Sequence, residues 1–468
     1  MESAVFTPCG GEALYMQLYK HLVNEISTGR LKSGEKLPSK RRLAQDLQLA
    51  VNTVDTAYQM LVAEGYVLAK PKSGFFVQKT DIPLAKKTIR GAATSEKTAA
   101  KQEYIYNFET SSIDTALFPY KTWRRIQRDI MAGSPAFLNH GARQGDENLR
   151  EAISAHLHEY RGAQCTADQI IVGAGIEYLL SLLARMFNES TFAVENPGYA
   201  RTHRILENNG ASVEFVPLDE SGLSVDALEK SGASLAYVTP SHQFPAGITM
   251  PIARRTQLLS WADSAEGRYI IEDDYDSEFR FDTKPVPCLQ GLGGGERVIY
   301  ISTFSKSIAP AFRIGYMVLP QSLLSRFDAQ FGFYSSTVSR FEQQTLAGFM
   351  SGGYYARHLN RLRIEYRQRR DVLLKAIYSS FGRGGATVYG SHTGLHLLLQ
   401  VHGKLTEQEI KAAAKQSGIH LNGLSEYYEN SADGCLPSTV VLGYAGMTQS
   451  DIENAVALLA KALNAQKS

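Results

Sequence analysis

Residues 270–279 read IIEDDYDSEF, and residues 303–307 read TFSKS. Each opens as a short apolar strand and ends in polar chemistry. The first run delivers Asp273 to the carboxyl end of its strand. Tyr275, two residues on, points the same way along an extended backbone. The second run sets Lys306 just beyond a strand, flanked by hydroxyls. A lysine–serine pair alone is weak, because most lysines are surface charges. The decisive feature is its order with three other elements of the chain.

VGAGIE (172–177) is a strand followed by a glycine turn into a helix, where the amides of Gly175 and Ile176 can bind a phosphate. Arg313, in APAFRIGY, is a fixed cation for the same phosphate. Glycine turn, acidic strand end, lysine and arginine follow one another as a pyridoxal 5′-phosphate (PLP) site requires. Lys306 would bond the aldehyde, Asp273 would keep the pyridine nitrogen protonated, and Tyr275 would hydrogen-bond the ring hydroxyl.

Outward from these motifs, residues 105–468 alternate near-continuous apolar runs with amphipathic stretches. QIIVGAG, TFAVENPG, LAYVTPS, RYIIEDDY, RVIYIST and RIGYMVLP suit buried strands of a mostly parallel sheet, an α/β fold. From about residue 385 the pattern predicts a smaller C-terminal α/β subdomain. Residues 79–104 are rich in Lys, Ala and Thr and poor in large apolar groups, and read as a linker.

Residues 1–78 form a separate unit. Leu14, Leu18, Leu22 and Ile26 recur every four residues, predicting a helix that Gly29 stops. Ser39 precedes KRRLAQDL as an N-cap, a third helix begins near Asn52, and YVLAKPKSGFFV reads as a hairpin wing. Lys40 and Arg41 stand where a helix start meets backbone phosphates. Asn52, Thr53 and Thr56 stand at the start of the third helix, where short polar side chains reach base edges. Lys72 and Gly74 mark the wing tip. The pattern predicts a winged helix-turn-helix on double-stranded operator DNA.

GRLKSGEKLPSKRRLA, NTVDTAYQMLVAEGY and KSGFFV resemble the winged helix of the GntR superfamily. Val51 departs from it, standing where many members carry an arginine able to grip guanine. The order of cofactor motifs resembles fold-type I PLP enzymes of the aminotransferase class. TPSHQFPAG (239–247), EDDYDSEF, TFSKS and LFPYKTW (117–123) resemble the MocR-type regulators, whose best-known member responds to γ-aminobutyrate. That resemblance implies that Lys306 is the Schiff-base lysine, that Arg313 and Thr303 contact phosphate, and that Tyr199 lies against the ring. It implies Arg201 as a ligand for an effector carboxylate, its planar fork suiting one, and it implies a homodimer. His242 reads as a hydrogen-bonded structural histidine.

Three departures bear on chemistry. Phe244 replaces the asparagine of working aminotransferases, Ile176 replaces a hydroxyl residue, and Gly446 replaces an arginine that clamps a carboxylate. The reading is a regulator that senses PLP, or a small amine or amino acid that condenses with it, with at most a weak transaminase half-reaction. The alternatives are an active aminotransferase with a DNA-binding appendage, or a vestigial cofactor site on a dimerisation domain.

Composition sets the frame. With 468 residues and a net charge of +2, DNA contact must come from a local basic patch. Cys9, Cys165, Cys288 and Cys435 are scattered, so neither a zinc site nor a disulfide framework is expected. The sequence lacks a signal peptide pattern and a long apolar run, so a cytoplasmic protein without membrane contact is expected.

Overall fold

A computed structural model describes residues 13–79, 104–133, 135–281, 286–429 and 434–465, with backbone only at 136 and 137. The chain divides into two compact units, residues 1–102 and 103–468. The predicted linker, 79–104, lies outside the described residues except at its two ends.

In the first unit, α1 (Leu14–Ser27) buries Leu18, Leu22 and Ile26. α2 (Lys40–Asp46) begins where the Ser39 hydroxyl accepts from the Arg42 amide at 3.3 Å, which satisfies one of the orphan amides of the helix start. α3 (Val51–Ala63) buries Val54, Ala57, Tyr58 and Leu61, and the Tyr58 hydroxyl donates to the Pro38 carbonyl at 2.9 Å. The wing is an antiparallel hairpin of β1 (Val67–Lys70) and β2 (Gly74–Val77).

In the second unit, β3 (Tyr106–Asn107) runs beside the later subdomain. The large sheet then collects β4 (Ile170–Gly173), β5 (Thr191–Asn196), β6 (Ser212–Asp219), β7 (Gly222–Leu223), β8 (Leu235–Val238), β9 (Tyr269–Asp273), β10 (Val298–Thr303) and β11 (Gly315–Val318). Its order is β4-β11-β10-β9-β8-β5-β6-β7. β10, β9, β8, β5 and β6 pair in parallel, while β11 is antiparallel to both of its neighbours. β4, β8 and β10 are buried along their whole length, which explains their near-continuous apolar sequence. Four parallel strands therefore end side by side at Asn196, Val238, Asp273 and Thr303. In open α/β sheets that carboxyl edge is where ligands bind.

The smaller subdomain holds β12 (Ala386–Tyr389), β13 (His396–Val401), β14 (Ile419–His420), β15 (Asn422–Gly423) and β16 (Thr439–Gly443). β12, β13, β16 and β15 form an antiparallel sheet, whose Leu397, Leu399, Val440 and Leu442 pack with Leu373 and Ile377 of the helix Tyr354–Phe381 and Ile452 and Leu459 of the helix Gln449–Ala465. β3 adds in parallel to β14, and the Gly443 amide donates to the Phe108 carbonyl at 2.8 Å. This tether brings residues 109–112 across the mouth of the site.

Candidate cofactor site and nucleic-acid interface

Asp273 ends β9 and is only 6% exposed. Its Oδ2 accepts from the Tyr237 hydroxyl, while Oδ1 has no hydrogen-bond partner among the described residues. Burial pushes its carboxyl up to about 7, with Asp274, Asp276 and Glu195 adding repulsion and the Tyr237 bond opposing it. An acceptor buried without a donor is costly. A cationic N–H is the group that completes it.

Tyr275 is fixed by donating to the His242 carbonyl at 3.0 Å. His242 is buried, with Nδ1 2.9 Å from Asp276 Oδ2 and its ring 4.6 Å from that of His396. Lys306 follows β10, its ammonium donating to the Thr110 carbonyl. Burial draws this amine down to about 8, against the pull of Asp276 and Glu109. A lysine in that range has a usable neutral fraction near neutral pH, as a carbonyl-bonding amine needs. Thr303 shapes the lysine loop. Its hydroxyl donates to the Ile314 carbonyl at 3.1 Å and lies 2.8 Å from the Ser305 hydroxyl.

At the other end, β4 turns through Gly173–Gly175 into the helix Ile176–Met186. Gly175 has φ +86, and a Cβ there would stand 3.0 Å from the Arg313 guanidinium, so only glycine fits. The Gly175 amide is already bonded to the Gly173 carbonyl at 2.7 Å. The amides of the helix's first turn, Ile176 onward, have no intrahelical acceptor. Arg313 is half exposed, pairs with Glu177 and reaches the Ala174 carbonyl at 3.4 Å. Arg201 pairs with the same Glu177 at 3.3 Å. Tyr199 is 42% exposed, with Phe244 edge-on at 5.7 Å and the Arg201 guanidinium 5.9 Å from its ring.

The fold brings Lys306, Asp273 and Tyr275 to the strand ends, and Gly175, Ile176 and Arg313 to the glycine turn. Sequence reading missed Glu177, which holds both arginines. It missed Glu109 and Thr110, which the β3–β14 pairing carries to Lys306, and Ser112, which lies against Gly446, because no local pattern marks them. Tyr237, on β8, also escaped, since a buried tyrosine in a strand reads as core.

This donor set fits PLP: an unmet buried carboxylate for the pyridine nitrogen, a lysine whose pKa is drawn down toward neutral, and amides with an arginine for the phosphate. Residues 107–459 match the family of aminotransferases of class I and II, and residues 14–77 match the gntR family of bacterial regulatory proteins. The chain is 31% identical to the probable rhizopine catabolism regulatory protein MocR of Rhizobium meliloti, over 97% of this chain and 94% of the relative. The chain belongs to the MocR-type regulators.

Other relatives are an uncharacterised HTH-type transcriptional regulator YdeL of Bacillus subtilis, 37% identical over 95% of both chains, and the HTH-type pyridoxine biosynthesis transcriptional regulator PdxR of Corynebacterium glutamicum, 33% identical over 88% of both. Among solved structures, the kynurenine aminotransferase of Pyrococcus horikoshii matches with a TM-score of 0.69 at 24% identity, covering 79% of this chain and 92% of that one. At that identity the likeness is one of fold. This MocR-type chain is thus a DNA-binding transcription regulator, and PLP is the cofactor its larger domain takes. No helix among the described residues is long and apolar enough to cross a membrane.

In the DNA-binding unit of this MocR-type regulator, Arg41, Asn52, Thr56 and Lys72 are exposed, while Thr53 and Gly74 are half-buried. Lys40 is different: it pairs with Asp55 of α3 and lies 5.1 Å over the Phe75 ring. The Thr56 hydroxyl donates to the Asn52 carbonyl at 2.9 Å. Lys72 sits at φ +57 at the hairpin tip. Val51 is 46% exposed at the first position of α3.

Proposed function

We propose that the larger domain senses PLP itself, or a small amine or amino acid that condenses with it, and that the outcome is read as a change in DNA affinity. One observation carries this reading. The ring-and-lysine end offers every group the cofactor needs, whereas the place of a carboxylate clamp is closed. Gly446 stands there, and a Cβ on it would lie 2.7 Å from the Ser112 Cβ. Losing a bidentate cation removes about 1.5–3 kcal/mol of charge-assisted bonding. An amino-acid substrate would therefore be gripped at one end only.

When bound, the cofactor supplies an aldehyde and an electron-withdrawing ring. In this reading Lys306 bonds it, Asp273 holds the proton on its nitrogen, and Tyr275 orients its hydroxyl. Tyr199 covers the ring. Arg313 and the Ile176 amide receive the phosphate, joined by the Gly175 amide and the Thr303 hydroxyl once these leave the Gly173 and Ile314 carbonyls. Arg201 takes an anionic effector group once it leaves Glu177. PLP as the sensed ligand is supported by the relative named a pyridoxine biosynthesis regulator.

The regulator works as a cytoplasmic homodimer whose winged helices, through Lys40, Arg41, Asn52, Thr53, Thr56, Lys72 and Gly74, engage repeated half-sites. Ligand acts by stabilising one of two arrangements, so coupling equals its differential affinity for them. Footprinting upstream of the protein's own gene, with and without PLP and candidate amines, tests this. Lys306→Ala is expected to keep DNA binding and lose the response. An unaltered response would remove the lysine's role, and sustained conversion of amino acids to keto products would replace sensing with turnover.

A further inference from the structure

Beside the cofactor site, and sharing Tyr199 and Tyr237 with it as a wall, lies a second cavity of about 170 Å³, which neither Lys306, Asp273 nor Arg313 lines. Its walls come from two subdomains: β5, β6 and β8 of the large sheet, and residues 426–429 beyond β15. Six phenylalanine and tyrosine rings line it, those of Tyr199, Phe215, Tyr237, Phe244, Tyr427 and Tyr428. Phe244 meets Tyr199 at 5.7 Å and Tyr427 at 5.1 Å, both edge-on.

Three acids line it, of which Glu426 and Glu429 are exposed, Glu426 being paired with Lys411, and one is buried among the rings. Glu195 ends buried in β5 at 5% exposure and lines the cavity. Its two oxygens differ sharply. Oε2 accepts from the Thr239 hydroxyl at 2.6 Å, the Thr239 amide at 3.3 Å and the Gln243 side chain at 3.2 Å. Oε1 is buried and has no hydrogen-bond partner among the described residues. Of the bases that also line the cavity, Arg204 is exposed and His203 is stacked edge-on against Phe215 at 5.2 Å, so Oε1 stays without a donor.

We propose that this cavity is a second small-molecule site of the regulator and that its ligand is a small alkylammonium ion, held non-covalently with its N–H on Glu195 Oε1 and its alkyl groups against the aromatic rings. A carboxylate oxygen buried without a donor is the costly half of an ion pair. The rings supply the rest, since their electron-rich faces attract a desolvated cation. A neutral hydrocarbon would leave Oε1 unmet, and an anion would meet a like charge. The site binds from both subdomains, because the Gly198 amide donates to the Tyr427 carbonyl at 2.9 Å and the Glu429 amide donates to Asn196 Oδ1 at 3.1 Å across its edge. A ligand there adds a third link between the same two segments.

The test must separate this site from the cofactor's own reaction with amines. Dimethylethanolamine does so, because a tertiary amine has one N–H when protonated and does not form a stable imine. Its carbon isostere, isoamyl alcohol, has the same shape without the charge. Titration calorimetry on the full-length protein loaded with PLP is expected to show binding of dimethylethanolamine at one site per chain and at least tenfold weaker binding of isoamyl alcohol. Glu195→Gln, with its cooperative melting checked, should lower the amine's affinity at least tenfold. Tyr427→Leu, which leaves the acid in place, should weaken it several-fold. The visible band of the cofactor should not change during the titration. Equal binding of amine and alcohol, wild-type affinity in both variants, or no binding to the wild type would each overturn the assignment.

Discussion

The two ends of the proposed cofactor site answer the same need, charge for charge, in opposite ways. At the ring end, Asp273 is 6% exposed, raised to about 7 and left with one oxygen unmet. At the phosphate end, Arg313 is half exposed and already neutralised by Glu177. Among the described residues, nothing donates to Asp273 Oδ1 in the cofactor's place. The exposed group has a surrogate anion and water. The ring end should therefore dominate affinity, and the phosphate end should adjust it.

The largest effect belongs to Lys306→Ala, which removes the covalent hold altogether. The variant should lose its cofactor and visible band on desalting, where the wild type keeps both. Next comes Asp273→Asn. Breaking a buried charge pair costs about 3–5 kcal/mol, so cofactor affinity should fall on the order of a hundredfold or more, measured by fluorescence titration. The same variant sharpens the contrast through pH. Asp273 and Glu195 are raised to about 7, so the folded cofactor-free protein keeps protons that the unfolded chain sheds near pH 4. Stability from these groups falls as pH rises from about 4 through 7. The cofactor-free wild type should melt lower at pH 8 than at pH 6, and Asp273→Asn should reduce that difference, Glu195 keeping its own share.

Arg313→Ala should cost about tenfold in cofactor affinity, the scale of one charge-assisted contact. Glu177→Gln should raise affinity a few-fold by freeing both arginines. An Arg313→Ala loss as large as that of Asp273→Asn would break the comparison. The winged helix extends it at the smallest scale. Lys72 is exposed at the wing tip, and Lys40 is tied to Asp55. If Lys72 meets a phosphate, Lys72→Ala should weaken all DNA sequences a few-fold and lower the salt slope by about 0.9. Lys40→Ala should change DNA binding less and melting temperature more.

Much of this was legible before folding. Periodicity and punctuation placed α1, α2 and the wing within a residue or two, because their apolar positions repeat locally and Gly29 and Ser39 mark the end of one helix and the start of the next. The parallel strands were legible because a strand buried on both faces is apolar throughout. Their carboxyl-end residues followed, which is why Asp273 and Lys306 were visible. Tyr237 was not, since its partner Asp273 lies 36 positions away on the next strand. Arg201 shows the same limit. Its fork suits a carboxylate, and the carboxylate it holds here is the protein's own Glu177.

The sequence by itself determined the two-unit plan, the class of each unit and the chemical character of the cofactor's anchors. These depend on spacing within one element or on which residue ends a strand. Only the tertiary structure decided which charges are already spent. The tether of β3 to β14 set Glu109 and Thr110 beside Lys306 and Ser112 against Gly446. The packing of β5 against β8 gave Glu195 partners for one oxygen and none for the other. Such facts arise between segments far apart in the chain, where burial fixes the cost of a charge and the nearest opposite charge sets how much of it remains for a ligand.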